Sequence, residues 1–169
     1  LIQFSETEKK RIAQILKDDQ QRIAACKNNL FLFAFYYFDY MFNFQSPAFH
    51  WDFCEEMMFR GEDDHLLLIG FRDSAKTMYA KIKAAHAICY GYKDFITYTC
   101  YDGKKAEAKL FDIARWLQTN DRLINDFGQL FYDTSPNRKR KSEKKSISEF
   151  ITVNDIKVKA FTPKMSFRG

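Results

Sequence analysis

Behind Ser5 and Glu8, whose spacing is that of a capping box, Ile12, Ile15, Leu16 and Ile23 recur at helical intervals and predict an amphipathic first helix. From Leu30 to Phe44 the polar positions nearly vanish in LFLFAFYYFDYMFNF, which predicts a second, aromatic-rich helix whose bulk belongs in a core. In SPAFHWDFCEEMMFRG, Ser46 is placed to cap a third helix, Pro47 to open it and Gly61 to stop it. The acidic turn Glu62–Asp64 then leads into HLLLIG, a short apolar run that suits a strand buried on both faces.

A helix is expected from about Ala75 to Tyr90, with Met78, Ile82, Ala85 and Cys89 on one face and Gly91 ending it. DFITYTCY reads as a strand and KKAEAKLFDIARWLQTN as another helix. Strand, helix, strand, helix is the rhythm of an α/β fold with a parallel sheet flanked by helices. The last segment, SISEFITVNDIKVKAFTP, alternates as two strands joined by a turn at Asn154 and Asp155, a C-terminal β-hairpin over 147–162.

Composition adds three constraints. The chain of 169 residues is long enough for one domain with a real core, and its 17% aromatic content, with 18 Phe, is far from that of a disordered segment. Its four cysteines, Cys26, Cys54, Cys89 and Cys100, lie in apolar segments without metal spacing and read as thiols of a reducing compartment. The apolar stretch 30–44 contains Asp39 and falls short of the roughly 20 residues that cross a bilayer, so no membrane helix is expected. The start at Leu1, without an initiator Met or a signal-peptide pattern, suggests a piece of a longer protein.

Charge matters for its position. Arg138 to Lys145, RKRKSEKK, holds six basic residues and Glu143, a net +5 that equals the net charge of the whole chain. With the remainder neutral, the segment 135–146 reads as an exposed basic loop for anions. Arg138, Lys139, Arg140, Lys141, Lys144 and Lys145 are the candidate contacts to nucleic-acid phosphates, and no aromatic is interleaved to suggest single-strand stacking. A merely solvated loop is the alternative.

The candidate chemistry lies in GFRDSAKT, Gly70 to Thr77, which departs from the phosphate-loop pattern G-x-x-x-x-G-K-[ST] only by Ala75 in place of the second Gly. Such a loop needs a strand before it and a helix after it, because the helix N-terminus supplies free N–H groups and the positive end of a dipole. A left-handed Ala costs roughly 1–2 kcal/mol, so Ala75 is expected to begin the helix instead. Gly70, Phe71, Arg72, Asp73, Ser74, Ala75, Lys76 and Thr77 are the candidate nucleotide-binding residues. Lys76 would contact the β and γ phosphates, Thr77 would ligate Mg²⁺, and the N–H groups from Asp73 to Thr77 would form the cradle. Arg72, four residues before Lys76, could turn its guanidinium to the γ phosphate as a finger in cis, so Arg72 and Lys76 are the candidate catalytic residues. A salt bridge from Arg72 to Asp73 is the structural alternative.

SPAFHWDFCEEM, LLLIGFRDSAKT, YTCYDGKKAEAKLFDIARWLQTNDRLINDFG and VKAFTPKMSFRG, in that order, resemble the N-terminal ATPase region of phage terminase large subunits, the DNA-packaging motors of tailed phages. The resemblance covers about Phe31 to Gly169 and implies a P-loop NTPase fold of the additional-strand class. It implies a helical N-terminal segment, 1–62, packed on a partial P-loop core, 63–169. It also implies ATP and Mg²⁺ as cofactors, and hydrolysis coupled to translocation of double-stranded DNA. The implied partners are the terminase small subunit and portal protein, with a homo-oligomer as a further form, in the cytoplasm of a bacterial host carrying a phage or prophage. In the family a nuclease follows the ATPase; here the second acidic motif is not reached before Gly169, so this piece is expected to bind ATP without being catalytically complete. His50 falls near the family's adenine-contacting Gln; as a residue of an aromatic helix, a core or capping role is its alternative.

Other readings remain. Asp102 closes the apolar run DFITYTCYD and could be the Mg²⁺-holding acid of a small P-loop kinase, although Gly103 rather than an acid follows it. A DNA helicase-type ATPase core and a non-catalytic DNA-binding module complete the set.

Overall fold

The computed structural model describes residues 6–41, 48–58, 65–132 and 147–162. Over these the chain is mixed α/β, with seven α-helices, a short 3-10 turn and a three-stranded mixed sheet. Residues 1–86 and 87–169 form two compact units, the division falling within a helix. The expected caps Ser5 and Ser46, the opening Pro47, the stop Gly61 and the basic loop 135–146 lie outside the described residues.

The first unit is helical. The expected first helix is two: α1 (Glu6–Ile15) and α2 (Asp19–Lys27). The apolar spacing continues across the joint, but Asp18 turns its carboxylate onto Gln21 N at 2.8 Å and caps α2. A side chain that offers the backbone an acceptor competes with continuing the helix. Arg22 completes the joint: it donates to Leu16 O at 3.0 Å and to Asp19 at 2.8 Å, and its guanidinium stacks 4.7 Å from the Tyr36 ring. These bonds let Arg22 be buried.

α3 (Leu30–Tyr37) is capped by Asn29 and ends sooner than Phe44. A 3-10 turn, Asp39–Met41, follows, where Asp39 accepts from Tyr40 N at 2.8 Å. Cys26, Leu30, Phe33, Ala34, Tyr37 and Phe38 are fully buried with Cys54 of α4 (Ala48–Met58). α5 (Lys76–Tyr90) adds Tyr79, Ile82, Ala85 and His86 to this core, the His86 ring meeting Phe33 edge-on at 4.9 Å.

HLLLIG is not the buried strand expected. Residues 65–70 have no regular structure, and Leu67 and Ile69 are 80% and 82% exposed. Their exposure still alternates with the half-buried Leu66 and Leu68, the period of an extended chain. A strand exists only by pairing, however, and no described strand pairs with this run.

In the second unit, β1 (Phe95–Thr99) pairs parallel with β3 (Lys157–Phe161), and β2 (Glu149–Ile151) pairs antiparallel with β3, in the order β1-β3-β2. The sheet is therefore mixed, with the hairpin's second strand at its centre. α6 (Gly103–Thr119) packs on all three strands, its Ala106, Leu110, Ile113, Ala114 and Leu117 covering the face that carries Phe150, Val158 and Ala160. α7 (Asp121–Phe127), not separately foreseen, starts where Asn120 accepts from Arg122 N and Leu123 N. The turn expected at Asn154 and Asp155 is present: Asp155 is left-handed (φ +62), Thr152 Oγ1 accepts from Ile156 N, and Asn154 donates to Ile88 O at 3.0 Å. Gly91 ends α5 as expected, left-handed at φ +65, with Tyr92 N donating to Ala87 O and Gly91 N to Ile88 O, the Schellman pattern.

All four cysteines are free thiols, and burial pushes Cys54 up to about 12. Among the described residues no helix is long and apolar enough to cross a membrane.

Candidate functional site

Residues 70–77 link the extended run 65–69 to the start of α5 and lie in the first unit. Asp73 (φ +64) and Ala75 (φ +57) are both left-handed, and the helix begins at Lys76. The expectation that Ala75 would open the helix is thus corrected. Ala75 takes the conformation for which the phosphate-loop pattern has glycine at this place, at a cost of roughly 1–2 kcal/mol to a residue with a Cβ.

That strain coincides with an uncapped helix end. Asp18, Asn29, Asp102 and Asn120 each place a side-chain oxygen on the first amides of α2, α3, α6 and α7. At α5 the residue before the helix is Ala75, whose carbonyl accepts from Tyr79 N but whose methyl cannot cap. Among the described residues, nothing accepts from the amides of Lys76, Thr77 and Met78. Free N–H groups at a helix N-terminus are the groups an anion uses.

The Lys76 ammonium folds back over the loop, donating to Gly70 O at 2.8 Å, Phe71 O at 2.6 Å and Ser74 Oγ at 2.8 Å. Three oxygens satisfy its three protons. Gly70 is required for this approach: a Cβ there would lie 2.9 Å from Ser74 Oγ and 3.3 Å from Lys76 Cδ. Ser74 is buried, whereas Arg72, Asp73 and Thr77 are exposed, and Arg72 and Asp73 form no ion pair among the described residues. The bland role foreseen for Arg72 is therefore not taken up, and its guanidinium is open to solvent.

The structure also brings His50 to this loop. From the buried side of α4, its Nε2 lies 3.2 Å from Ser74 O, and because a carbonyl only accepts, Nε2 carries the proton. Burial lowers the pKa of the ring, with the Ser74 bond opposing, which favours the neutral imidazole. Its Nδ1 is buried without a partner among the described residues. Phe49, Phe53 and Tyr79 surround the ring, and Phe49 also meets Phe71 edge-on at 5.5 Å.

Sequence reasoning counted Ser74 only as one amide of the cradle and did not see it as the joint between Lys76 and His50. No local signal marks it, since both bonds are made by residues folding back on it. Asp102 is engaged elsewhere: its Oδ1 accepts from Lys104 N at 3.0 Å as the cap of α6, in the other unit. The candidate DNA contacts Arg138, Lys139, Arg140, Lys141, Lys144 and Lys145 lie outside the described residues. No group of three or more His, Cys, Asp or Glu side chains gathers for a metal among the described residues. Compared with known proteins, the chain matches no family model, no curated protein and no solved structure.

Proposed function

We propose that Gly70–Thr77 is a phosphate loop binding ATP with Mg²⁺, and that the chain is the ATP-binding part of a terminase-type DNA-packaging ATPase with a P-loop NTPase fold. The observation that carries this reading is the Lys76 ammonium held over the loop at the mouth of an uncapped helix. In this reading the loop's own oxygens occupy the lysine until a phosphate offers it stronger, charged acceptors. The amides of Lys76 and Thr77 and the N-terminal end of the α5 dipole hold the anion. The Thr77 hydroxyl, exposed in the first turn, serves Mg²⁺, which when bound neutralises phosphate charge. Arg72, exposed on the same loop, is available to the outer phosphate. Translocation of double-stranded DNA, the small-subunit and portal partners and the bacterial cytoplasm follow from the terminase resemblance and belong to the same proposal. The kinase alternative is weakened because the Asp102 carboxylate already caps α6.

Isothermal calorimetry with Mg·ATP tests the reading. Wild type is expected to bind weakly and Lys76→Ala to lose binding, with circular dichroism checking that the variant folds. Equal binding by both proteins, or none by wild type, refutes it.

A further inference from the structure

The loop is strained on both sides of one residue. Asp73 and Ala75 are left-handed at φ +64 and +57, and such backbone persists only where its surroundings over-determine it. The residue between them, Ser74, is 2% exposed and is held at three atoms: its amide donates to Phe71 O at 3.4 Å, its hydroxyl accepts from Lys76 Nζ at 2.8 Å, and its carbonyl from His50 Nε2 at 3.2 Å. Phe71 is in the loop and Lys76 in the helix that follows it, so His50 is the hold that comes from elsewhere in the fold.

We propose that His50 is a positioning residue of the phosphate loop, fixing Ser74 and through it the seat of Lys76, rather than a contact to the base of a nucleotide. The inference rests on the nucleotide reading above. His50 is 8% exposed, and the rings of Phe49 and Tyr79 pack against it at 4.5 Å and 4.9 Å. Its only bonded nitrogen is committed to the loop backbone, and the other is itself buried. Reaching a base edge would require the ring to leave this packing and break the Ser74 bond. The neutral state favoured by burial agrees with one donor, at Nε2.

The test compares inorganic tripolyphosphate with ATP, because a residue acting through the loop affects both and a base contact affects only ATP. Calorimetric affinities for the two ligands are measured for wild type, His50→Leu and His50→Gln, with Lys76→Ala as control. His50→Leu is expected to weaken both ligands by the same factor, about tenfold, the scale of one lost buried hydrogen bond. His50→Gln, whose side-chain amide can donate in place of Nε2, should recover tripolyphosphate affinity. In the free protein, hydrogen exchange of the bonded loop amides, Ser74 N on Phe71 O and Tyr79 N on Ala75 O, should quicken in His50→Leu and not in His50→Gln. If His50→Leu does not fold, His50→Asn, whose amide is too short for the Ser74 carbonyl, replaces it. Loss of ATP affinity with tripolyphosphate unchanged, or unaltered exchange in the loop, overturns the inference. Absence of binding by wild type refutes the nucleotide reading instead, and the exchange result still decides whether His50 holds the loop.

Discussion

Replacing Ala75 by glycine is expected to stabilise the first unit, although the substitution removes a methyl group and adds no contact. At φ +57 the Cβ of Ala75 crowds the following carbonyl, which costs about 1–2 kcal/mol relative to right-handed backbone, and glycine removes that cost. Glycine also loosens the unfolded chain, which takes back about 0.4–1 kcal/mol. Taken at the middle of each range, the balance is a gain of about 0.8 kcal/mol, or about 3–6 °C in the midpoint of a unit of this size. Urea unfolding followed by tryptophan fluorescence measures it. Trp51 lies in residues 1–86 and Trp116 in residues 87–169, so a Trp116→Phe background lets Trp51 report the relevant unit alone. Ala75→Val is the matched control: a β-branched residue at positive φ is strongly disfavoured, and its stability should fall below that of wild type. A glycine variant no more stable than wild type, together with a valine variant no less stable, would refute the left-handed assignment and the argument for glycine in the loop pattern.

Gly70→Ala should destabilise the same unit by about 1 kcal/mol and weaken tripolyphosphate binding, because the new Cβ meets Ser74 Oγ and displaces Lys76; unchanged values in both measurements would contradict the packing described. Stability should also depend on pH through His86, which burial, assisted by the nearby Lys83 charge, holds at about 4 against an ordinary 6.5. The folded form stays neutral while the unfolded chain takes up a proton, so this stability is fully present above about pH 6.5 and is lost as pH falls towards 4, by about 3 kcal/mol in all. His86→Leu should flatten that slope, and an identical slope in the variant would exclude His86 as its cause. For the basic segment, engaging about four phosphates predicts a slope of roughly −3 to −4 in log affinity for duplex DNA against log salt. Changing Arg138, Lys139, Arg140 and Lys141 to Ser should flatten it in fluorescence anisotropy, and an unchanged slope would assign the segment to solvent.

Local chemistry was legible in the sequence wherever one stretch of chain settles its own geometry. Gly91 ends α5 because only its own φ is at issue, Asn154 and Asp155 turn a hairpin flanked by alternating residues, and the helical faces of α5 and α6 follow from spacing. The composition of Gly70–Thr77 likewise named a loop before a helix. Reading failed where competing local bonds, or partners distant in sequence, decide the outcome. Asp18 divides a helix that the apolar pattern continues, since it offers the backbone a bond that hydrophobic spacing does not reveal, and α3 gives way at Phe38 to a 3-10 turn where the apolar run goes on. The run 66–69 carried the composition of a buried strand, but strands are made by neighbours, and no described strand pairs with it. Ala75 was misread because propensity weighs a residue alone, whereas the fold holds it left-handed through Ser74, Lys76 and His50 together. The bond between His50 and Ser74 spans 24 positions: the terminase resemblance points His50 at a nucleotide base and no periodicity points it at Ser74, so only the packing of α4 against the loop brings the two within reach.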